Sequence, residues 1–127
     1  MVKLQKMKDK VLERFLRYIK IDTQSDENSE TTPSTQKQFD LANVLKKELE
    51  DLGLLDISLD EKCYLMATLP ANTDKKIPTI GFISHMDTSP DMPGAVENPN
   101  FVYNYIGEDV VINKEKLFSV FYQLTPI

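Results

Sequence analysis

Hydrophobic residues spaced three and four positions apart predict two amphipathic helices in the first half of the chain. The first predicted helix covers residues 3–20, and the second covers about residues 34–52. Their apolar positions are Leu4, Met7, Val11, Leu12, Phe15 and Ile19 in the first helix, and Phe39, Ala42, Leu45, Leu49 and Leu52 in the second. Gly53 follows directly, and glycine readily takes the left-handed conformation that ends a helix.

Two alternatives describe the start of the second helix. Thr32 and Pro33 suit an N-cap and a first helical position, whereas Thr35 and Gln38 suit a capping box in another register. The preceding stretch, residues 22–33, is almost wholly polar and rich in residues that hydrogen-bond to their own backbone. It is therefore predicted to be an exposed connecting loop.

After Gly53 the hydrophobic period changes to that of β-strands. Leu55, Ile57 and Leu59 alternate with polar residues, which predicts a half-buried strand. Further strands are predicted at 64–69, at 79–84 and, in a short form, at 110–112. Residues 79–84 are almost continuously apolar, which is typical of a strand covered on both faces. The order of elements predicts one α/β domain in which two amphipathic helices pack on a mixed β-sheet.

Composition and charge narrow the classes of function. The 127 residues carry 15 basic and 20 acidic side chains, a net charge of −5, which argues against binding to nucleic acid. No apolar run of the sequence approaches membrane-spanning length, so no membrane partner is expected. A single cysteine, Cys63, cannot form an internal disulfide, which fits a reducing, cytoplasmic location.

The candidate chemistry lies just after the third predicted strand. His85 is expected at the carboxyl end of that strand, where α/β sheets place ligands. Asp87 can accept a hydrogen bond from one imidazole nitrogen and leave the other nitrogen free to bind a metal ion. An ordinary loop histidine beside an aspartate explains the same residues, so the His-x-Asp pattern leaves both interpretations open.

Other candidate residues are weaker. Four acidic residues could form a carboxylate metal cluster, although solvated charges are the common case; they are Asp91, Glu97, Glu108 and Asp109. Cys63 is interpreted as a small packed residue, because the chain has one histidine and therefore no second one to activate the thiol.

Seven blocks of sequence occur in an order that is far more specific than one short motif. They are Leu12-Glu-Arg-Phe-Leu16, Asp22-Thr-Gln-Ser25, Pro33-Ser-Thr35, Leu52-Gly-Leu54, Met66-Ala-Thr-Leu-Pro-Ala-Asn72, Ile80-Gly-Phe-Ile-Ser84 and His85-Met-Asp-Thr-Ser-Pro-Asp91. Together they resemble the peptidase T family of the co-catalytic dizinc aminopeptidase and carboxypeptidase superfamily. The family-like part covers about residues 1–112, and residues 113–127 form a divergent tail.

The resemblance implies a zinc metallopeptidase that releases the N-terminal residue of tripeptides and holds two zinc ions when complete. It implies that His85 binds one zinc ion and that Asp87 is the active-site carboxylate that orients this histidine. It also implies that residues 1–127 are the N-terminal part of a catalytic domain, without the blocks that carry the other ligands and without the lid or dimerisation domain. The isolated chain is therefore expected to be inactive, with at most weak zinc binding.

A second hypothesis belongs to a different class of function. The chain could act as a non-catalytic binding or interaction module derived from the same fold. Self-association is then expected through the exposed sheet edge or through the apolar tail at residues 117–127, because a large uncovered apolar patch usually marks an interface or an aggregation liability.

Overall fold

Helices and short antiparallel strands make up the fold, in the order α1, α2, β1, β2, β3, β4. The computed structural model describes residues 2–103, 105–107, 111–113 and 116–117. Helix α1 spans Val2–Tyr18 and helix α2 spans Gln38–Asp51. The strands are β1 at Leu55–Leu59, β2 at Leu65–Thr68, β3 at Val111–Asn113 and β4 at Lys116–Leu117. The predicted α/β class is confirmed.

Gly53 ends helix α2, as the sequence predicted. Its φ angle is 75°, in the left-handed region that glycine tolerates best. The N–H of Gly53 donates to the carbonyl of Glu50 at 2.9 Å, and the N–H of Leu54 donates to the carbonyl of Leu49 at 3.1 Å. These two hydrogen bonds satisfy carbonyl groups that the end of a helix otherwise leaves unpaired.

The start of helix α2 differs from both predicted alternatives. The helix begins at Gln38, and Lys37 before it makes no side-chain capping hydrogen bond. A single turn leads in, with the N–H of Gln38 donating to the carbonyl of Thr35 at 3.3 Å. The hydroxyl of Thr35 donates instead to the carbonyl of Gln24 at 2.8 Å. Thr35, which one alternative predicted to cap the helix, therefore hydrogen-bonds to the segment around Gln24 instead.

Strands β1 and β2 pair antiparallel, and helix α2 lies against both of them. Asp60 shapes the turn between the strands, because its carboxylate accepts the N–H groups of Lys62 at 3.0 Å and Tyr64 at 2.8 Å. The register is interrupted between Leu55 and Ser58, which indicates a β-bulge in β1.

The buried side chains concentrate in the N-terminal half of α2 and in the turn after β1. Leu41 and Ala42 are buried, and Cys63 is 6% exposed. Cys63 lies in the turn between β1 and β2, with a φ angle of 65°. Burial, with a further contribution from Asp60, raises the pKa of the Cys63 thiol. Its burial confirms the interpretation of Cys63 as a packed residue, and a raised pKa disfavours the nucleophilic thiolate.

Residues 79–84 do not form the predicted buried strand. They have no regular secondary structure, and the side chains of Phe82 and Ile83 are 95% and 101% exposed. A strand requires neighbouring backbone to pair with its N–H and C=O groups. No described strand pairs with this segment, so the described sheet around α2 is the antiparallel β1–β2 pair rather than a mixed sheet.

The apolar face of α1 is also exposed. Its side chains are each about half exposed or more; they are Met7, Val11, Leu12 and Phe15. Polar contacts attach α1 to α2 instead, because Glu48 of α2 accepts hydrogen bonds from Arg17 and from the hydroxyl of Tyr18. Neither described helix is long and apolar enough to cross a membrane.

The short strand predicted at 110–112 corresponds to β3, which pairs antiparallel with β4. Val110 itself lies outside the described residues. The same holds for residues 118–127, which form most of the predicted apolar tail.

Candidate functional site

The loop that carries the candidate histidine and aspartate, here called the site loop (residues 85–96), lies along the segment that follows α1. Thr88 forms a parallel bridge with Gln24. The N–H of Thr88 donates to the carbonyl of Thr23 at 3.2 Å, and the carbonyl of Thr88 accepts the N–H of Ser25 at 2.9 Å. Backbone pairing therefore fixes the loop at the residue directly after Asp87.

This pairing corrects part of the prediction that residues 22–33 form an exposed connector, because residues 26–28 and 30–32 are exposed as predicted but residues 22–25 pair with the site loop. Thr23 is 2% exposed, and Pro33 is also buried. Residues 22–25 hydrogen-bond within the segment and to the site loop, whereas residues 26–28 and 30–32 are exposed. A polar composition therefore indicated the absence of helix and strand correctly, and it indicated exposure to solvent correctly for residues 26–28 and 30–32 but not for Thr23.

His85 and Asp87 make the contact that the sequence predicted. Nδ1 of His85 lies 3.0 Å from Oδ1 of Asp87. The imidazole is 84% exposed and the carboxylate side chain is 43% exposed, so both groups are accessible. A proton on Nδ1 would be donated to the carboxylate, which leaves the lone pair of Nε2 free to bind a metal ion.

The described residues fit one ligand position of a metal site rather than a complete site. No group of three or more His, Cys, Asp or Glu side chains in the described part of the chain could hold a metal ion. A catalytic zinc ion typically has three protein ligands. The alternative carboxylate cluster includes Glu108 and Asp109, which lie outside the described residues, so it stays a prediction; Asp91 and Glu97 belong to no group of three or more candidate ligands in the described part of the chain.

A polar network that the sequence analysis missed supports the site loop. The side-chain N–H groups of Gln24 donate to the carbonyls of Pro90 at 2.9 Å and Met92 at 2.8 Å. Asp22 accepts the backbone N–H of Gln24 at 2.9 Å and the ammonium of Lys37 at 3.0 Å. These two donors, the backbone N–H first, lower the pKa of Asp22. The network thus joins the site loop to the start of α2.

Gly94 allows the site loop to approach this network closely. A Cβ atom at position 94 would overlap Oδ1 of Asp22 and would lie 2.9 Å from the backbone nitrogen of Gln24. No other residue type fits this position without displacing the loop. Glycine is therefore required here for close packing.

One signal in the sequence could have pointed to this network. The run Asp22-Thr-Gln-Ser25 was among the blocks that resemble the peptidase T family, yet it was interpreted as part of a solvated connector. A polar block that takes part in such a resemblance favours a specific hydrogen-bonding role. The partner of the run was not evident, because Pro90 and Met92 are 66 and 68 residues away from Gln24.

Curated proteins similar to this chain are peptidases T. Peptidase T of Clostridium acetobutylicum is 58% identical over 108 residues, which cover 85% of this chain and 26% of that protein. Peptidase T of Alkaliphilus oremlandii is 61% identical over 108 residues, with 84% and 26% covered. Peptidase T of Lysinibacillus sphaericus is 58% identical over 113 residues, with 89% and 28% covered.

The chain spans about a quarter of the length of the curated relatives it matches. No protein-family model matches it. The identity is nevertheless close to 60% and extends over most of the chain, including the residues that form the site loop and the segment that holds it. The chain therefore belongs to the peptidase T family and matches the N-terminal portion of its members.

Proposed function

We propose that this chain is the N-terminal part of the catalytic domain of a zinc-dependent tripeptide aminopeptidase. In this proposal His85 binds one of two zinc ions, and Asp87 orients its imidazole. The observation that carries the proposal is the 3.0 Å contact between Nδ1 of His85 and Oδ1 of Asp87, which leaves Nε2 available. The identity of about 60% to peptidases T supports it.

Each residue of the pair has a separate role in this proposal. Nε2 of His85 binds the metal ion, and Asp87 fixes the imidazole tautomer and raises the basicity of the ligand. When bound, zinc supplies Lewis-acid activation of the substrate carbonyl and of water. Since the described residues fit one ligand position, the remaining ligands and the general base belong to other parts of the complete enzyme.

The proposal includes short peptides as substrates and the cytoplasm as the location. Cys63 is a free, buried cysteine, which is compatible with a reducing compartment. The net charge of −5 gives no support to a nucleic-acid substrate. Hydrolysis of tripeptides is therefore the activity to measure first.

A hybrid enzyme tests this function. The N-terminal portion of Clostridium acetobutylicum peptidase T that this chain matches is replaced by the corresponding residues of this chain, and tripeptide hydrolysis is measured. The hybrid is expected to be active, because the rest of the relative supplies the ligands that the described residues of this chain do not provide. His85→Ala should reduce kcat/KM by more than about 100-fold, and Asp87→Asn should reduce it by about 10- to 100-fold, as is typical of residues that orient a metal ligand.

Asp91→Asn is the matched control for Asp87→Asn. Asp91 lies in the same loop, and its carboxylate accepts a hydrogen bond from the hydroxyl of Ser89 at 2.7 Å rather than from His85. We expect this variant to retain most of the activity of the hybrid. Equal activity of the His85→Ala hybrid and the unaltered hybrid would refute the proposed role of His85.

The alternative function, a self-associating binding module, depends on the exposed apolar side chains. Phe82 and Ile83 are almost fully exposed in the described structure, and uncovered apolar patches often mark interfaces. The close identity to peptidases T favours the peptidase over this alternative. A monodisperse monomer in light scattering of the 127-residue chain would count further against the binding module.

A further inference from the structure

We propose that Gln24 is a positioning residue for the His85–Asp87 pair and acts through the site loop. The inference rests on the proposed function of that pair. Gln24 lies about sixty residues before the pair in the sequence and makes no hydrogen bond to either of its members in the described structure. Its effect is therefore on the orientation of the pair, through the backbone that carries it.

The hydrogen bonds of Gln24 use every polar group that the residue has. The two side-chain N–H donors serve the carbonyls of Pro90 and Met92 in the site loop. The backbone N–H donates to Asp22, and the backbone carbonyl accepts the hydroxyl of Thr35. The side-chain carbonyl accepts the ammonium of Lys37 at 3.4 Å.

Gln24 makes two sets of hydrogen bonds. The set to residues before α2 is here called the fixed side, and the set to the site loop is called the holding side. The fixed side is anchored by Thr35 and Lys37, which precede α2, the helix that lies against strands β1 and β2. The holding side faces the site loop beyond Asp87. The segment before α2 is thus connected to the site loop through the Gln24 side chain, and the bridge between Gln24 and Thr88 adds a backbone connection.

The orientation of the imidazole depends on this support. His85 is 84% exposed, and Asp87 is the hydrogen-bond partner that the described structure gives its side chain. Asp87 directly precedes Thr88, whose backbone N–H and carbonyl are both paired with the segment around Gln24. If the loop were released at its carbonyls beyond Thr88, the carboxylate would no longer be held within hydrogen-bonding distance of Nδ1. The free imidazole would then populate both neutral tautomers. In one of them Nε2 carries the proton and has no lone pair to bind a metal ion.

The tautomer of His85 in the metal-free 127-residue chain tests the inference. Long-range ¹H–¹⁵N NMR spectra of the neutral imidazole show which ring nitrogen carries the proton. Hydrogen exchange of the Thr88 amide is measured on the same sample. His85 is the only histidine in the sequence, so its ring signals are unambiguous.

The test variant is Gln24→Glu, which keeps the size of the side chain but removes both donors to Pro90 and Met92. The matched control is Gln36→Glu, which makes the same change of charge at an exposed glutamine twelve positions later. In the unaltered chain and in the control, the proton is expected on Nδ1. In Gln24→Glu, a mixture of tautomers is expected, and exchange of the Thr88 amide should be about tenfold faster, the effect of losing roughly one net hydrogen bond.

An unchanged tautomer and unchanged Thr88 exchange in a folded Gln24→Glu variant would overturn the inference. If that variant does not fold, NOEs in the unaltered chain between the Gln24 side-chain amide protons and residues 90–92 decide: their presence supports the contact, and their absence refutes it. None of these readouts needs a metal ion. Failure of the proposed function appears separately, as undiminished activity of the His85→Ala hybrid enzyme.

Discussion

At the scale of single residues, Gly94 limits how closely the site loop can approach the segment after α1. Gly94→Ala should displace the loop, because the added Cβ overlaps Asp22 and crowds the backbone of Gln24. Overpacking of this kind typically costs about 1–3 kcal/mol. We expect a loss of this size in the free energy of unfolding measured with urea, together with NMR shift changes at Asp22, Gln24 and Thr88.

Gly81→Ala is the control for this substitution. A Cβ atom added at Gly81 would have no heavy atom within 4 Å to meet, and this glycine does not have a positive φ angle. Its replacement should change the free energy of unfolding by less than about 0.5 kcal/mol, as is usual for surface positions. Equal effects of the two substitutions would contradict the close packing described at Gly94.

The residue scale also shows what a single sequence can predict about a site. The contact between His85 and Asp87 was predicted correctly, because side chains two positions apart in the sequence lie within reach of each other. The role of Gln24 was not predicted. Its partners in the site loop are more than sixty residues away, and nothing in the local pattern specifies which loop a polar segment will meet.

At the scale of elements, one carboxylate attaches α1 to α2. Glu48 accepts hydrogen bonds from Tyr18 and Arg17, and Arg14 lies 3.5 Å away. Burial alone would raise the pKa of Glu48, but the hydrogen bonds from Tyr18 and Arg17 outweigh burial, and the pKa of Glu48 is lowered. The attachment therefore depends on the charged form of this side chain.

Because the pKa of Glu48 is lowered, the attachment of α1 to α2 is predicted to weaken at acidic pH. Because the pKa of Glu48 is lower in the folded state than in the unfolded state, its contribution to stability is complete above about pH 4.5, close to the ordinary carboxyl value. It is lost as the pH falls through the folded-state pKa. Glu48→Gln should therefore be less stable than the unaltered chain at neutral pH and should lose less stability on acidification, in urea denaturation at a series of pH values.

Glu50→Gln, an exposed glutamate on the same helix, is the matched control. It should keep the acid sensitivity of the unaltered chain. Some acid sensitivity should also remain in Glu48→Gln, because the pKa of Asp22 is lowered as well. If Glu48→Gln and the unaltered chain lost stability equally on acidification, Glu48 would not be the group that links pH to the attachment of α1.

The end of α2 gives a second prediction for an element. Gly53 has a φ angle of 75°, and a residue with a Cβ pays about 1–2 kcal/mol in the left-handed region. Gly53→Ala should lower the free energy of unfolding by about this amount. Gly53→Asn should cost less, because asparagine tolerates this conformation better. An alanine variant as stable as the asparagine variant would argue against the helix end described here.

The bounds of helices and strands were predicted well where local hydrogen bonds determine them, and poorly where contacts with distant parts of the chain determine them. Gly53 ends α2 as expected, because its hydrogen bonds are all local. The start of α2 was misplaced, since Thr35 bonds to Gln24 instead of capping the helix. Residues 79–84 have the apolar pattern of a buried strand, but a strand also needs neighbours, and the described residues provide none.

At the scale of the whole molecule, one explanation accounts for both the exposed apolar surface and the isolated candidate metal ligand. Phe82 and Ile83 are uncovered, and His85, close by in sequence, fits one ligand position of a metal site. The chain matches about a quarter of the length of its peptidase T relatives. Both features are accounted for if the residues that cover the segment and complete the site belong to the complete enzyme, as we propose.

The zinc content of the hybrid enzyme tests this account most directly. Zinc bound per molecule is measured after dialysis for the unaltered hybrid and for its His85→Ala variant, with Asp91→Asn as the control. The account predicts two zinc ions in the unaltered hybrid and in the control, and about one in His85→Ala, because one ion loses a ligand that the rest of the enzyme cannot replace. Two tightly bound zinc ions in the His85→Ala hybrid would contradict it.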